Sequence, residues 1–227
     1  MLLFSFSRTL QTLTFIFGVS LSTLGLTAAT PATPMPMKNT PTATILVFGD
    51  SLSAGYGLAA NEDWPSLLQQ QLQQSPYAHY RIVNASISGE TSAGGLARFA
   101  KTLAKNPNTT IVILELGAND GLQGLAIQEM RQNLVTMIQL AQKAKAQVLL
   151  TGMHLPPNYG ARYATTFFQS YADIAAEYKV TLMPFLLTDV AAKPAFIQSD
   201  GLHPNAQAQP IIQANVWKYL KPLLQPS

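Results

Sequence analysis

The sequence contains no cysteine. Disulfides, zinc–thiolate sites and thiol catalysis are therefore excluded. Charge is scarce as well. Of the 227 residues, 11% are Asp, Glu, Lys or Arg, while 48% are hydrophobic. That balance rules out a disordered or coiled-coil chain and suits one globular domain with an ample core. The net charge of +3 comes without any run of lysine or arginine, so no nucleic-acid partner is expected. Two signatures of common enzymes are missing, and a third occurs out of context. There is no G-x-S-x-G, so a strained elbow of that type is not expected. There is no G-x-x-x-x-G-K, hence no P-loop. Gly55-Tyr56-Gly57-Leu58-Ala59-Ala60 fits G-x-G-x-x-A but starts several residues past the end of a strand. No Asp or Glu stands between Asp63 and Glu90, where a ribose-binding acid would close the next strand.

What is present begins with a targeting pattern. Arg8 precedes an uncharged apolar run, Leu10–Leu26, and small residues Thr27-Ala28-Ala29 follow. Residues 1–29 read as a secretory signal cleaved after Ala28 or Ala29, with an uncleaved membrane anchor as the alternative. With no cysteine after the run, a lipoprotein anchor is excluded. Thr30–Pro41 is rich in proline and threonine and reads as an extended linker. The domain is expected over 42–227, periplasmic or secreted, monomeric, and without stable membrane insertion once the signal is removed.

From residue 42 onward, apolar runs alternate with helical spacings. Strands are expected at Thr44–Phe48, Arg81–Ile87, Thr110–Leu116, Gln147–Met153 and Thr181–Leu187. Between them, Trp64, Leu67, Leu68 and Leu72 mark a helix with Asn61 as its cap and Pro65 in its first turn. Gly95–Lys105 reads as helical, and Ile127 to Ala141 and Phe167 to Tyr178 mark two more helices. Ile211 to Leu224 marks a closing one. Strands apolar on both faces and separated by helices predict a parallel sheet covered on both sides, an α/β fold.

Sites in such folds form beyond the carboxyl ends of the strands. Gly49-Asp50-Ser51 follows the first strand, Ser88-Gly89-Glu90-Thr91 the second, and Gly117-Ala118-Asn119-Asp120 the third. Asp200-Gly201-Leu202-His203-Pro204 precedes the final helix. Together these supply the parts that acyl transfer needs. A serine hydroxyl is a poor nucleophile until a base takes its proton. His203 is a suitable base for Ser51, and Asp200, three positions earlier, is close enough to orient its ring. An oxyanion needs fixed donors. The Ser51 amide, the unobstructed Gly89 amide and the Asn119 side chain are candidates. Asp50 and Ser53 are read as turn residues without a chemical role. His79 precedes the second strand, on the wrong edge. His154 follows the fourth strand and could line the pocket, but no nearby carboxylate would orient it. Leu122, Leu125, Leu155, Pro156 and Tyr159 follow strand ends and are expected to line an apolar groove for an acyl chain.

The blocks G-D-S-L-S-A-G-Y-G, N-A-S-I-S-G-E-T-S, E-L-G-A-N-D-G-L and D-G-L-H-P-N resemble those of the GDSL, or SGNH, hydrolases. The similarity is closest to the periplasmic thioesterase, lysophospholipase and arylesterase branch, and it runs from about Thr44 to Leu224. It implies a three-layer α/β/α sandwich of flavodoxin-like type with five parallel strands, and no metal or organic cofactor. It also implies Ser51 as nucleophile, Asp200 and His203 as its partners, and Gly89 and Asn119 as oxyanion donors. The substrates implied are acyl esters and thioesters such as aryl esters, lysophospholipids and acyl-CoA. Two positions depart from the branch: Ala118 replaces a glycine, and His154 stands where an arginine is familiar. Two other readings stay open on the same scaffold, a carbohydrate O-acetyl esterase and a catalytically idle lipid- or glycan-binding protein.

Overall fold

The computed structural model describes residues 43–226. The signal and linker expected over 1–41 lie outside the described residues.

Five strands carry the fold: β1 (Ala43–Gly49), β2 (Tyr80–Asn84), β3 (Thr109–Glu115), β4 (Gln147–Thr151) and β5 (Thr181–Met183). They form one sheet of order β2-β1-β3-β4-β5, and every neighbouring pair is parallel. The apolar runs explain why. Ile45 to Phe48 and Ile111 to Ile113 have no exposed surface, which a strand achieves only when both of its faces are covered. The cover comes from helices of the connections. The chain passes from β1 to β2 in one direction and then from β2 through β5 in the other. Because parallel crossovers are right-handed, the helices of the two directions fall on opposite faces. α2 (Trp64–Gln73) belongs to the first and pairs with the closing α7 (Gln209–Leu220). α3 (Ser92–Lys105), α5 (Ile127–Lys143) and α6 (Ala161–Tyr178) belong to the second and pack side by side. Among the described residues no helix is long and apolar enough to cross a membrane.

Several element ends differ from the sequence expectation. α2 is capped by Asp63, not Asn61. The Asp63 carboxylate accepts from the Ser66 amide at 3.0 Å and from its hydroxyl at 3.0 Å, and Asn61 instead takes a left-handed backbone with φ of 68°. The regular part of the second strand ends at Asn84, although the Ala85 and Ile87 amides still donate to the Val47 and Gly49 carbonyls of β1 at 2.9 and 3.0 Å before the chain turns at Ser88-Gly89. The fifth strand stops at Met183. Pro184, without an N–H, cannot continue the ladder. α3 starts three residues earlier than its periodicity suggests, at Ser92, with Thr91 accepting from the Gly94 amide.

At the carboxyl edge two short helices complete the frame, α1 (Ser51–Ala54) and α4 (Ala118–Leu122). Asp120 in α4 is 4% exposed and is locked to the start of α3, accepting from the Ser92 amide at 2.7 Å and the Ser92 hydroxyl at 2.5 Å. The loop after β3 is thus fixed by a helix from the neighbouring crossover.

Candidate active site

A cavity of about 840 Å³ opens at the carboxyl edge of the sheet. Ser51, Gly89, Asn119 and His203 all line it, although they come from four separate segments. Asp200 stands behind His203. The His203 Nε2 lies 2.8 Å from the Ser51 Oγ, and its Nδ1 lies 2.6 Å from an Asp200 oxygen. This arrangement can take a proton from the serine and hold the resulting imidazolium beside a carboxylate. The loop makes the geometry locally. The other Asp200 oxygen accepts from the Leu202 amide at 2.9 Å and the His203 amide at 3.0 Å. These bonds, together with the imidazole, hold the Asp200 carboxyl down at about 2, so it stays ionised through the working pH range. The loop in turn is braced from outside. Pro204 forms an antiparallel bridge with Ile197, and the Gln198 amide donates to the carbonyls of both Tyr56 and Pro204. The Tyr56 ring lies 4.4 Å from the His203 ring, centroid to centroid.

The oxyanion candidates have a distinctive hydrogen-bond state. Among the described residues, the Ser51 and Gly89 amides donate to no group. Gly89 has a φ of 80° and nothing near the position a Cβ would occupy, so its N–H is presented without obstruction. The Asn119 side chain differs. Its Nδ2 donates 3.1 Å to an Asp50 oxygen and 3.1 Å to the Glu90 carbonyl. Ala118, at the departure from the branch, begins α4 and lines the cavity.

Beneath Ser51 lies a pair of buried acids that the turn reading passed over. Asp50 is 1% exposed. One of its oxygens caps α1 by accepting from the Leu52 amide, and the other holds Asn119. Glu115, the last residue of β3, has no exposed surface. Its Oε2 accepts from the Asp50 amide at 3.2 Å and from the Ser53 hydroxyl at 2.6 Å. Ser53 is therefore a buried tie, not an open turn. Gly49 makes room for this contact, since a Cβ there would sit 2.4 Å from the Glu115 carboxylate. The warning in the sequence was a lone carboxylate inside the most apolar strand, T-I-V-I-L-E-L.

Burial dominates the titration of both acids. It pushes Asp50 from 3.8 up to about 6, against the Leu52 amide, His203 and Asn119, which all pull down. Burial and the Asp50 charge hold Glu115 well above the usual carboxylate range. An acid whose folded pKa exceeds its unfolded pKa binds more protons when folded. Stability then falls as pH rises from about 4 through about 6, and the penalty is complete above that window. Two units correspond to about 3 kcal/mol. Asp50→Asn keeps a capping oxygen and removes the charge. Its stability relative to wild type is expected to grow between pH 4 and 7 by up to about 3 kcal/mol, measured by urea unfolding at each pH. A difference that stays flat or shrinks over that range would contradict the assignment.

The groove residues divide. Leu122, Leu155 and Pro156 line the cavity. Leu125 and Tyr159 do not. The Tyr159 hydroxyl turns away to donate to the Leu122 carbonyl at 2.9 Å, and Tyr163 holds the Leu125 carbonyl in the same way. These two tyrosines fasten the loop, leaving the Leu125 side chain on the outer surface. The missing wall comes from the long segment after β5, with Phe185, Leu187, Ala191, Ile197 and Leu202. No periodicity marks that segment in the sequence. Met153 and His154 also line the cavity, beside Phe185. The His154 ring is stacked 3.9 Å from Phe168 and edge-on to Phe185, and burial lowers its pKa.

A parallel five-stranded sandwich with a serine, a histidine and an aspartate at one end defines a hydrolase class. Residues 47–210 match the GDSL-like lipase/acylhydrolase family, and the chain belongs to it as a carboxylic ester hydrolase. Among known relatives, it is 50% identical over 181 residues to esterase TesA of Pseudomonas aeruginosa, covering 80% of this chain and 89% of that one. It is 44% identical to thioesterase 1/protease 1/lysophospholipase L1 of Escherichia coli K12, covering 80% and 85%. The crystal structure of TesA superposes with a TM-score of 0.77 at 50% identity, covering 80% of this chain and 99% of that chain.

Proposed function

We propose that the protein hydrolyses acyl esters and thioesters, aryl esters, lysophospholipids and acyl-CoA among them, in two steps through an acyl-enzyme on Ser51. The observation that carries this reading is the Ser51–His203–Asp200 chain of contacts, at 2.8 and 2.6 Å, on the wall of an apolar cavity. His203 takes the Ser51 proton as Oγ bonds to the acyl carbon. The oxyanion is met by the Ser51 and Gly89 amides and by Asn119. His203 passes its proton to the leaving alkoxide or thiolate as that bond breaks. Water, deprotonated by the same imidazole, then attacks the acyl-enzyme and frees the acid and Ser51. Asp200 orients the ring and balances its charge. The esterase and thioesterase names of the relatives support the same substrate classes.

The cavity wall of leucine, phenylalanine, isoleucine and alanine favours chains longer than acetyl. Each buried methylene is worth about 0.8 kcal/mol, or about fourfold in kcat/KM. Along a series of p-nitrophenyl esters, kcat/KM is expected to rise from acetyl to at least hexanoyl, with acyl-CoA thioesters also turned over. Acetyl esters or acetylated glycans as best substrates would replace this reading with the deacetylase. Absence of any p-nitrophenol release would leave only the binding-protein alternative. The N-terminal pattern supports a periplasmic or secreted enzyme. Cell fractionation checks this, and recovery with the membrane pellet would favour the anchored alternative.

A further inference from the structure

The Ser51 and Gly89 amides and the Asn119 side chain lie on three segments, and one ion pair reaches all three. Arg98, in the second turn of α3, grips the Glu90 carboxylate with two prongs. Its Nε donates to Oε1 at 2.7 Å and its Nη2 donates to Oε2. The Glu90 side chain is 7% exposed and that of Arg98 23%, so water screens the pair little. Glu90 is the covalent neighbour of Gly89, and its carbonyl holds Asn119 at 3.1 Å. The third link is through the core. The Arg98 guanidinium lies 4.0 Å over the ring of Phe48. Phe48 is fully buried in β1, edge-on to Phe99 at 4.9 Å, and its strand leads directly into Asp50-Ser51. Gly89 sits in a turn closed by the Glu90 amide on the Ile87 carbonyl at 3.2 Å, so the placement of Glu90 sets that of Gly89. Among the described residues neither the amide nor the carbonyl of Gly89 itself is bonded, and its backbone is left-handed.

We propose that Arg98 is a positioning residue for the oxyanion hole, acting through Glu90 to hold the Gly89 amide and the Asn119 side chain in register with the Ser51 amide. The inference rests on the hydrolytic reading and adds a residue outside the cavity wall. A planar fork suits the task because two parallel bonds to one carboxylate fix orientation as well as distance. Donors aimed at an oxyanion act mainly in the transition state. Loosening them therefore lowers kcat and leaves KM nearly unchanged.

The test uses Arg98→Met, which keeps an apolar stem over Phe48 and removes the fork. Expected is a fall in kcat of roughly 10- to 100-fold for p-nitrophenyl butyrate, with KM within about twofold. Inactivation by a p-nitrophenyl alkylphosphonate, whose adduct places an oxygen in the hole, slows in parallel. The affinity for octanoate is unchanged. Arg98→Lys, which restores charge without the fork, recovers only part of kcat. If Arg98→Met does not fold by circular dichroism, Glu90→Gln carries the same expectation. Wild-type kcat in the folded variant overturns the proposal. So does a loss confined to KM, or full recovery by Arg98→Lys. The hydrolytic reading has its own control. If wild type shows no turnover, or Ser51→Ala retains it, that reading fails first, whatever Arg98→Met does.

Discussion

Ser51→Ala is expected to abolish turnover of p-nitrophenyl esters, with a fall in kcat on the order of 10⁴- to 10⁶-fold. His203→Ala should fall about as far. The double variant should lose little more than either single one, because the serine and the imidazole act as one unit across the 2.8 Å contact between them. Without the base, the hydroxyl stays protonated and cannot attack. Without the hydroxyl, the base has nothing to activate. Some rate over plain water is expected to persist, since the cavity and the oxyanion donors remain. Binding need not suffer. The Ser51→Ala protein should still take up a fatty acid with wild-type affinity, measured by calorimetry, and should give no burst of p-nitrophenol. A Ser51→Ala protein with substantial turnover would remove the acyl-enzyme from the mechanism.

Asn119→Ala should lower kcat by about 10²- to 10³-fold and leave KM nearly unchanged. The structure sharpens the reason. Both Nδ2 hydrogens are already engaged, one by Asp50 and one by the Glu90 carbonyl. A ground-state ester oxygen is a modest acceptor and competes poorly with them. The full charge of a tetrahedral oxyanion competes well, and it can share the hydrogen that the neutral Glu90 carbonyl holds in place. On the proposed mechanism, the Asn119 donation is thus expected to be selective for the transition state. A steady-state comparison of kcat and KM checks this, and equal losses in binding and rate would argue for a donor used throughout. Loss of Asn119 also leaves the buried Asp50 carboxylate without one of its donors, so a modest loss of stability is expected alongside.

The parallel sheet, its helical cover and the edge that carries the site were legible because burial on both faces leaves continuous apolar strands. That Ser51, Gly89, Asn119 and His203 share one cavity was legible because each lies just beyond a strand end or in the loop before the closing helix. The roles of Asp50, Ser53 and Glu115 were not. Each looks like a turn or a strand end in one dimension, and the tie among them spans β1 and β3, which only the sheet brings together. The far wall of the cavity was hidden for a different reason. The segment from Phe185 to Leu202 has little regular structure, so its apolar residues follow neither a period of two nor of three and a half. The Tyr159 and Leu125 expectation failed on direction, since a residue placed by sequence at the right edge can still point elsewhere.

The contact between Gly49 and Glu115 has a consequence for descent. A methyl at position 49 collides with a carboxylate that itself holds the backbone of position 50. The same methyl would also sit 2.8 Å from the Glu115 backbone carbonyl, which no exchange at 115 removes. A smaller residue at 115 would release Ser53 and the Asp50 amide without admitting a side chain at 49. Among sequences of this family position 49 should therefore stay glycine whatever stands at 115. The first letter of the Gly-Asp-Ser block then records how closely the neighbouring strand approaches more than it records the reaction.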